Sequence, residues 1–234
     1  MQADHDIARA QAEATRAGLE LRRETDGLVL TDGKLELRAD FAHMLPRLKS
    51  GALQRELLVK AARIKGVDEP VAIDATAGLG EDSLLLAAAG FRVRLFERDP
   101  VIAALLRDAV NRATGDSSLA PLVARMEPVE GDSLQALAAE TSIERTPDLV
   151  YLDPMFPGRT KSAAVKKKFQ LLHHLERPCS DERAMLDAAI AAGPRKIVIK
   201  RPVKGPYLAG VKPSHSVAGK AVRYDVIVLP RKEA

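Results

Sequence analysis

The sequence predicts an α/β fold of the doubly wound kind, a mostly parallel sheet covered by helices on both faces, and three observations carry the prediction. From residue 71 onward, short apolar runs alternate with helical stretches, the rhythm of right-handed β-α-β crossovers. A glycine turn, "AGLG", stands between the first of those runs and the helix after it. Successive runs end in carboxylates, at Asp74, Glu97, Asp132 and Asp153, which gathers them at one edge of the sheet.

Taken in order, residues 5–18 are Ala-rich with helical spacing. "LELRRETDGLVLTDGKLELRAD" then alternates apolar and polar residues around Asp26-Gly27 and Asp32-Gly33, which predicts a small antiparallel meander. Residues 1–45 therefore read as an N-terminal α+β appendage, and 46–234 as the main domain. "GALQRELLVKAARIK", residues 51–65, predicts an amphipathic helix. The strand "VAIDAT", the helix "EDSLLLAAAG", the strand "RVRLFERD" and the helix "PVIAALLRDAVNRA" follow, Pro100 suiting a first helical turn. Next come a strand in "ARMEPVEGD", a helix from Ser133, the strand "DLVYLD", helical segments between 161 and 192, and the strands "RKIVIKR" and "VRYDVIVL". Residues 202–220 read as a long Gly-, Pro- and Lys-rich loop, a length often associated with function.

Composition excludes several classes. With 46% hydrophobic and 29% charged residues in 234, the chain has the balance of one globular domain. The N-terminus has no apolar h-region, and no run nears the roughly 20 residues of a membrane helix, so the cytoplasm is the expected location. The lone Cys179 excludes an internal disulfide framework and a Cys-rich zinc site; His173 and His174 lack partners at ligand spacing, so no metal is expected. The net charge of +4 is modest but clustered, in Arg47, Lys49, Arg55, Lys60, Arg63 and Lys65 and again in Arg159, Lys161, Lys166, Lys167 and Lys168. Such clusters suit phosphate contacts, although a solvated helix face looks the same.

In "AIDATAGLGED", Asp74 ends the first core strand, and Gly78 and Gly80 let a backbone approach a ligand ahead of a helix N-terminus. The dinucleotide pattern G-x-G-x-x-G is absent, because Ser83 stands where its third glycine would be, which disfavours a nicotinamide oxidoreductase. Asp82 crowds the place of a pyrophosphate and favours a cationic ligand such as S-adenosylmethionine. Glu97 is placed to accept both hydroxyls of a ribose, Arg98 to pack along an adenine, and Asp132 and Ser133 to bond the adenine edge. Any one of these acids could instead cap the helix after it.

"YLDPMF" ends the fourth strand, and Asp-Pro-x-aromatic at that place resembles the signature of methyltransferases acting on exocyclic amines of bases. Such an amine is conjugated and a poor nucleophile. If Asp153 and the Pro154 carbonyl accept its two N–H bonds while Phe156 stacks on the ring, its lone pair is freed and aimed. A proline-rich strand exit with Asp153 as a cap is the plainer reading. Lys200 and Arg201 end the fifth strand on the same edge, suited to a phosphate or the substrate loop, or simply to solvent.

Together "DATAGLGED", "LFERDP", "LVYLDPMFP", "KSAAVKKK" and "VIKRP" resemble the RsmJ-like family of 16S ribosomal RNA guanine-N2 methyltransferases, from about Val71 to Pro202. The resemblance implies a class I, Rossmann-like methyltransferase fold with a seven-stranded sheet, S-adenosyl-L-methionine as donor, and 16S rRNA or the small ribosomal subunit as partner. It also implies donor contacts at Glu81, Asp82, Glu97, Arg98, Asp132, Ser133 and Asp153. Two features depart from the family pattern: Glu81 stands where a basic residue is frequent, and "PRLKSGALQRE" has one glycine where a Gly-rich basic loop is usual. An adenine-N6 methyltransferase, or a non-catalytic RNA-binding assembly factor, are the alternatives the same residues allow.

Overall fold

A computed structural model describes residues 2–138, 146–154, 170–172, 175 and 181–230 of the chain. The expected positions Phe156, Arg159, Lys161, Lys166, Lys167, Lys168, His173, His174 and Cys179 lie outside the described residues.

The helix and meander expected near the N-terminus are present: α1 (Gln2–Arg16) precedes β1 (Glu20–Glu24), β2 (Gly27–Thr31) and β3 (Glu36–Leu37), paired antiparallel in that order. At the second turn the Asp32 Oδ1 accepts the Lys34 and Leu35 N–H groups, the local bonding that makes Asp-Gly a turn former. These elements share the main core, because Ala10, Ala14, Leu28 and Leu30 lie in one buried cluster with Leu84, Leu105 and Leu106.

The helix expected over 51–65 is instead two short ones, α3 (Ser50–Leu53) and α4 (Leu57–Ala62), preceded by a third, α2 (Leu45–Leu48). Lys49 and Glu56 between them are extended, at ψ 135 and 129. The Glu56 carboxylate accepts from both Nε and Nη2 of Arg47 at 2.8 Å, and this bidentate pair folds α2 back onto the α3–α4 junction.

The main sheet uses β4 (Val71–Asp74), β5 (Arg92–Glu97), β6 (Met126–Glu130), β7 (Leu149–Leu152), β8 (Lys196–Pro202), β9 (His215–Ala218) and β10 (Val222–Val228), in the order β6-β5-β4-β7-β8-β10-β9. The five strands from β6 to β8 are parallel, and β10 is antiparallel to both neighbours. The seventh strand, β9, lies in the segment read as a loop. Its residues are mostly exposed on the sheet's edge, so no buried apolar alternation announces it.

Helices α5 (Glu81–Ala88), α6 (Pro100–Ala113), α7 (Ala120–Val123), α8 (Ser133–Ala138) and α9 (Glu182–Ala191) complete the layers. Strand alternation divides the core between the two faces: Leu149 and Tyr151 join α5 and α6 on one side, while Val150 and Leu152 join Leu186 and Ala189 of α9 on the other. Both faces of β7 are therefore buried, as its unbroken apolar run requires. Asp99 caps α6, its Oδ1 accepting from Val101 and Ile102 just ahead of Pro100 at the first turn. The chain runs from β4 to β5 and β6 on one side and returns to β7 on the other, leaving a crevice at the β4/β7 switch point. Among the described residues no helix is long and apolar enough to cross a membrane.

Candidate active site

A cleft of about 360 Å³ opens at the carboxyl ends of β4, β5, β6 and β7. Thr76, Gly78, Glu97, Arg98, Asp132, Ser133, Asp153 and Pro154 line it, so most of the carboxylates expected at one edge do share one wall. The glycine turn forms the floor. Gly78 has φ 54, its N–H donates to Glu97 Oε2 at 3.0 Å, and a Cβ there would meet no atom within 4 Å. That open space is the close backbone approach a ligand would use. Gly80 differs: at φ 81 a Cβ would come within 2.6 Å of Leu106 Cδ1 and 3.3 Å of Phe41 Cζ, so this glycine serves packing.

Glu97 is held twice, by Gly78 N–H on Oε2 and by Asp99 N–H on Oε1 at 2.9 Å. Burial pushes its carboxyl above the usual range, against the two amides that favour the charged form. Asp132 caps α8 through the Leu134 N–H at 2.9 Å while still lining the cleft, and Ser133 is buried beside it. The donor set suits an adenosyl group: a carboxylate with lone pairs left for a diol, polar edge groups, and an amide-rich turn.

Asp153 stands at the switch point with its N–H on Thr76 Oγ1 at 2.7 Å, and its Oδ2 lies 2.8 Å from Lys200 Nζ. Pro154 lines the same wall.

Several expected contacts are placed elsewhere. Asp74 is buried below the turn, where it accepts from Ser83 Oγ at 2.6 Å and from Thr76 N–H at 3.0 Å, and burial pushes its carboxyl up to about 7. It therefore supports the turn and does not line the cleft. Glu81 turns toward His43, 3.4 Å away, and Asp82 bonds Tyr151 and Lys200. Lys200 is committed to these carboxylates, not offered to a phosphate. Arg201 is fully buried; its Nη1 lies 3.1 Å from Glu182 and its Nε donates to the Pro206 carbonyl at 2.9 Å. An RNA backbone cannot reach it, because strand alternation sends it into the α9 side of the sheet.

Residues the sequence reading missed also line the cleft: Glu13 of α1, Thr76, and Asp181 and Met185 at the start of α9. Thr76 lies within the quoted glycine turn and had a signal. Glu13 had none, since nothing local ties an N-terminal helix to a strand end more than sixty residues on. Among the described residues, no group of three or more His, Cys, Asp or Glu could hold a metal ion.

Comparison with known proteins agrees with this geometry. A family model described as a putative SAM-dependent methyltransferase matches residues 5–229. The ribosomal RNA small subunit methyltransferase J of Thioalkalivibrio sulfidiphilus is 46% identical over 177 residues, 76% of this chain and 69% of that protein. Its namesake in Pseudomonas syringae pv. tomato is 38% identical over 232 residues, covering 98% and 82%. The crystal structure of a SAM-dependent methyltransferase from Neisseria gonorrhoeae superposes with a TM-score of 0.73 at 31% identity, over 90% of this chain and 83% of that one. The match over nearly the whole chain shows that it belongs to the SAM-dependent methyltransferase family that includes these small-subunit rRNA enzymes.

Proposed function

We propose that the chain methylates the exocyclic N2 amine of a guanosine in 16S ribosomal RNA, free or within the small subunit, in the cytoplasm. The relatives' names point to small-subunit rRNA. The observation that carries the amine is Asp153 at the β4/β7 switch point, fixed through its own N–H to Thr76 and followed at once by Pro154 in the cleft wall.

When bound, S-adenosylmethionine supplies an electrophilic methyl group on a sulfonium and leaves as the neutral thioether. Glu97 and the amides around Gly78 hold the ribose end, Arg98 flanks the adenine, and Asp132 and Ser133 bond its edge. Asp153 and the Pro154 carbonyl accept the two N–H bonds of the target amine, and Phe156 stacks on the base. The amine nitrogen, relieved of conjugation, would then direct its lone pair at the donor's methyl group, and the N–H proton released once the new N–C bond forms would pass to water by way of the Asp153 carboxylate that accepted it. Positioning of this kind supplies most of the rate, since charge on the donor disperses as the methyl moves. Arg159, Lys161 and Lys166 to Lys168 follow Asp153 closely in sequence and provide the phosphate contacts. The 1–45 segment, through Glu13, closes one side of the cleft.

Mapping modified nucleosides in rRNA from cells lacking the protein tests this directly. One N2-methylguanosine of the small subunit disappears; the wild-type chain restores it and Asp153→Ala does not. Equal restoration by both, or loss of an N6-methyladenosine instead, refutes the reading.

A further inference from the structure

Four elements aim polar side chains at one point beside the cleft. Tyr151 of β7 pairs in register with Val198, and Lys200 of β8 lies two residues on, on the same face; Tyr224 of β10 pairs with Lys200. Asp82, from the first turn of α5, meets them: its Oδ2 accepts from Tyr151 Oη at 2.6 Å and from Lys200 Nζ at 2.5 Å. The same Nζ is 2.8 Å from Asp153 Oδ2. The Lys200 side chain is 17% exposed, Asp82 19% and Asp153 27%.

The other charged groups around the bridge are accounted for. Arg47 of α2 is paired with Glu56 while its charge still favours ionised Asp82, Glu81 faces His43, Asp74 below is bonded to Ser83, and the Tyr151 and Tyr224 hydroxyls are kept protonated by burial and by Asp82. Two carboxylates thus share one ammonium, which leaves the bridge one net negative charge beside a cleft for a cationic donor.

Two carboxylates converging without that ammonium would share a proton near neutrality. A protonated Asp153 would lose acceptor capacity that the substrate amine needs. We propose that Lys200 is a positioning residue for methyl transfer, a fixed cation that holds Asp153 ionised and oriented by bridging it to Asp82; this rests on the reading of Asp153 as acceptor of the target amine. Burial alone would lower the Lys200 ammonium, yet Asp82 and Asp153 together hold it above its ordinary range. Burial likewise pushes Asp82 up, and Lys200 with Tyr151 brings it below the usual carboxylate range. Lys200 therefore acts as permanent charge and not as a base.

The test is a carbon-13 titration of carboxyl-labelled aspartates in the ligand-free chain, with methyl transfer followed over the same pH range. The wild type shows neither Asp82 nor Asp153 titrating near neutrality, the signal of the buried Asp74 being assigned separately by its loss in Asp74→Asn. Lys200→Met gains one carboxyl that titrates there, and its turnover at about pH 6.5 is at least ~5-fold below its own value at about pH 9, where the wild type changes less than ~2-fold. Adding Asp82→Asn to Lys200→Met returns that carboxyl to acid and recovers turnover, while Asp82→Asn alone gives no gain. S-adenosylhomocysteine raises the melting temperature of each variant, which reports folding. If Lys200→Met unfolds and the double variant folds, unbalanced charge is the cause and the proposal stands; if both unfold, or if Lys200→Met titrates like the wild type, it falls. An inactive Asp153→Ala beside an unshifted Lys200→Met refutes the bridge alone, whereas a fully active Asp153→Ala refutes the amine reading whatever the titration shows.

Discussion

Glu97→Gln separates the proposed donor-binding role of Glu97 from its part in the fold. A carboxylate offers about four lone-pair sites. Gly78 and Asp99 N–H groups take one on each oxygen, which leaves about two for the hydroxyls of a ribose. Glutamine keeps one oxygen and presents an amide N–H₂ at the other position. Whichever way it flips, one backbone amide loses its acceptor, and one ribose hydroxyl loses a charged partner. The second loss is felt only in the complex, and a hydrogen bond to a charged group contributes about 1.5–3 kcal/mol, so the dissociation constant of S-adenosylhomocysteine rises roughly 10- to 100-fold. Calorimetric titration measures it, and denaturant unfolding of the ligand-free chain measures the first loss separately, at about 1–3 kcal/mol. An affinity within threefold of wild type, with the unfolding midpoint lowered as expected, would refute the assignment of Glu97 to the ribose and leave it as a brace for the glycine turn.

The two glycines of that turn respond in opposite ways. Gly78→Ala places a methyl in open cleft space at φ 54, costing about 1–2 kcal/mol of stability but reducing S-adenosylhomocysteine affinity; Gly80→Ala drives a Cβ to 2.6 Å from Leu106 Cδ1 at φ 81 and lowers stability by about 2–4 kcal/mol. Melting curves with and without ligand read both, and equal loss of affinity in the two would contradict the assignment. Asp74→Asn tests the buried carboxyl. Its pKa is raised from 3.8 to about 7, so the native state holds a proton that the unfolded chain has released, and the wild type loses stability as pH rises between those values. Asparagine does not titrate, so the stability of Asp74→Asn relative to wild type should climb between about pH 4 and 7, by up to a few kcal/mol; parallel pH curves for the two chains would show that Asp74 is ionised in the fold.

Much of the frame was legible because it is local. The run at β7 is apolar throughout and that at β4 apolar up to its terminal Asp74, and Asp99-Pro100 is a cap followed by a first-turn proline, so the element and its boundary follow from a few residues. Glu97, Asp132 and Asp153 could be placed together for the same reason: a parallel sheet carries its strand ends to one edge. The helix break at Glu56 was not legible, because the Arg47–Glu56 pair that stabilises it spans nine residues and competes with an unbroken amphipathic pattern over 51–65. Edge strand β9 was hidden by its exposure on both faces.

Lys200 and Arg201 show where local reading stops. As neighbours at the end of one strand, they look alike in the sequence, and both suit a phosphate. In the sheet they point to opposite faces, Lys200 toward α5 and the Asp82–Asp153 pair, Arg201 toward α9, Glu182 and the Pro206 carbonyl. Period-two alternation does separate them, since Lys200 shares a face with Val198 and Arg201 with Ile199. It cannot say which face holds which helix, because both faces of β8 are apolar and buried. The missing information is the crossover topology: α5 follows β4 and covers one side, α9 precedes β8 and covers the other. Once the two layers are assigned, an acid in the first turn of α5 and a lysine at the end of β8 fall within reach across the switch point, and a cation next to Asp153 becomes a consequence of the winding.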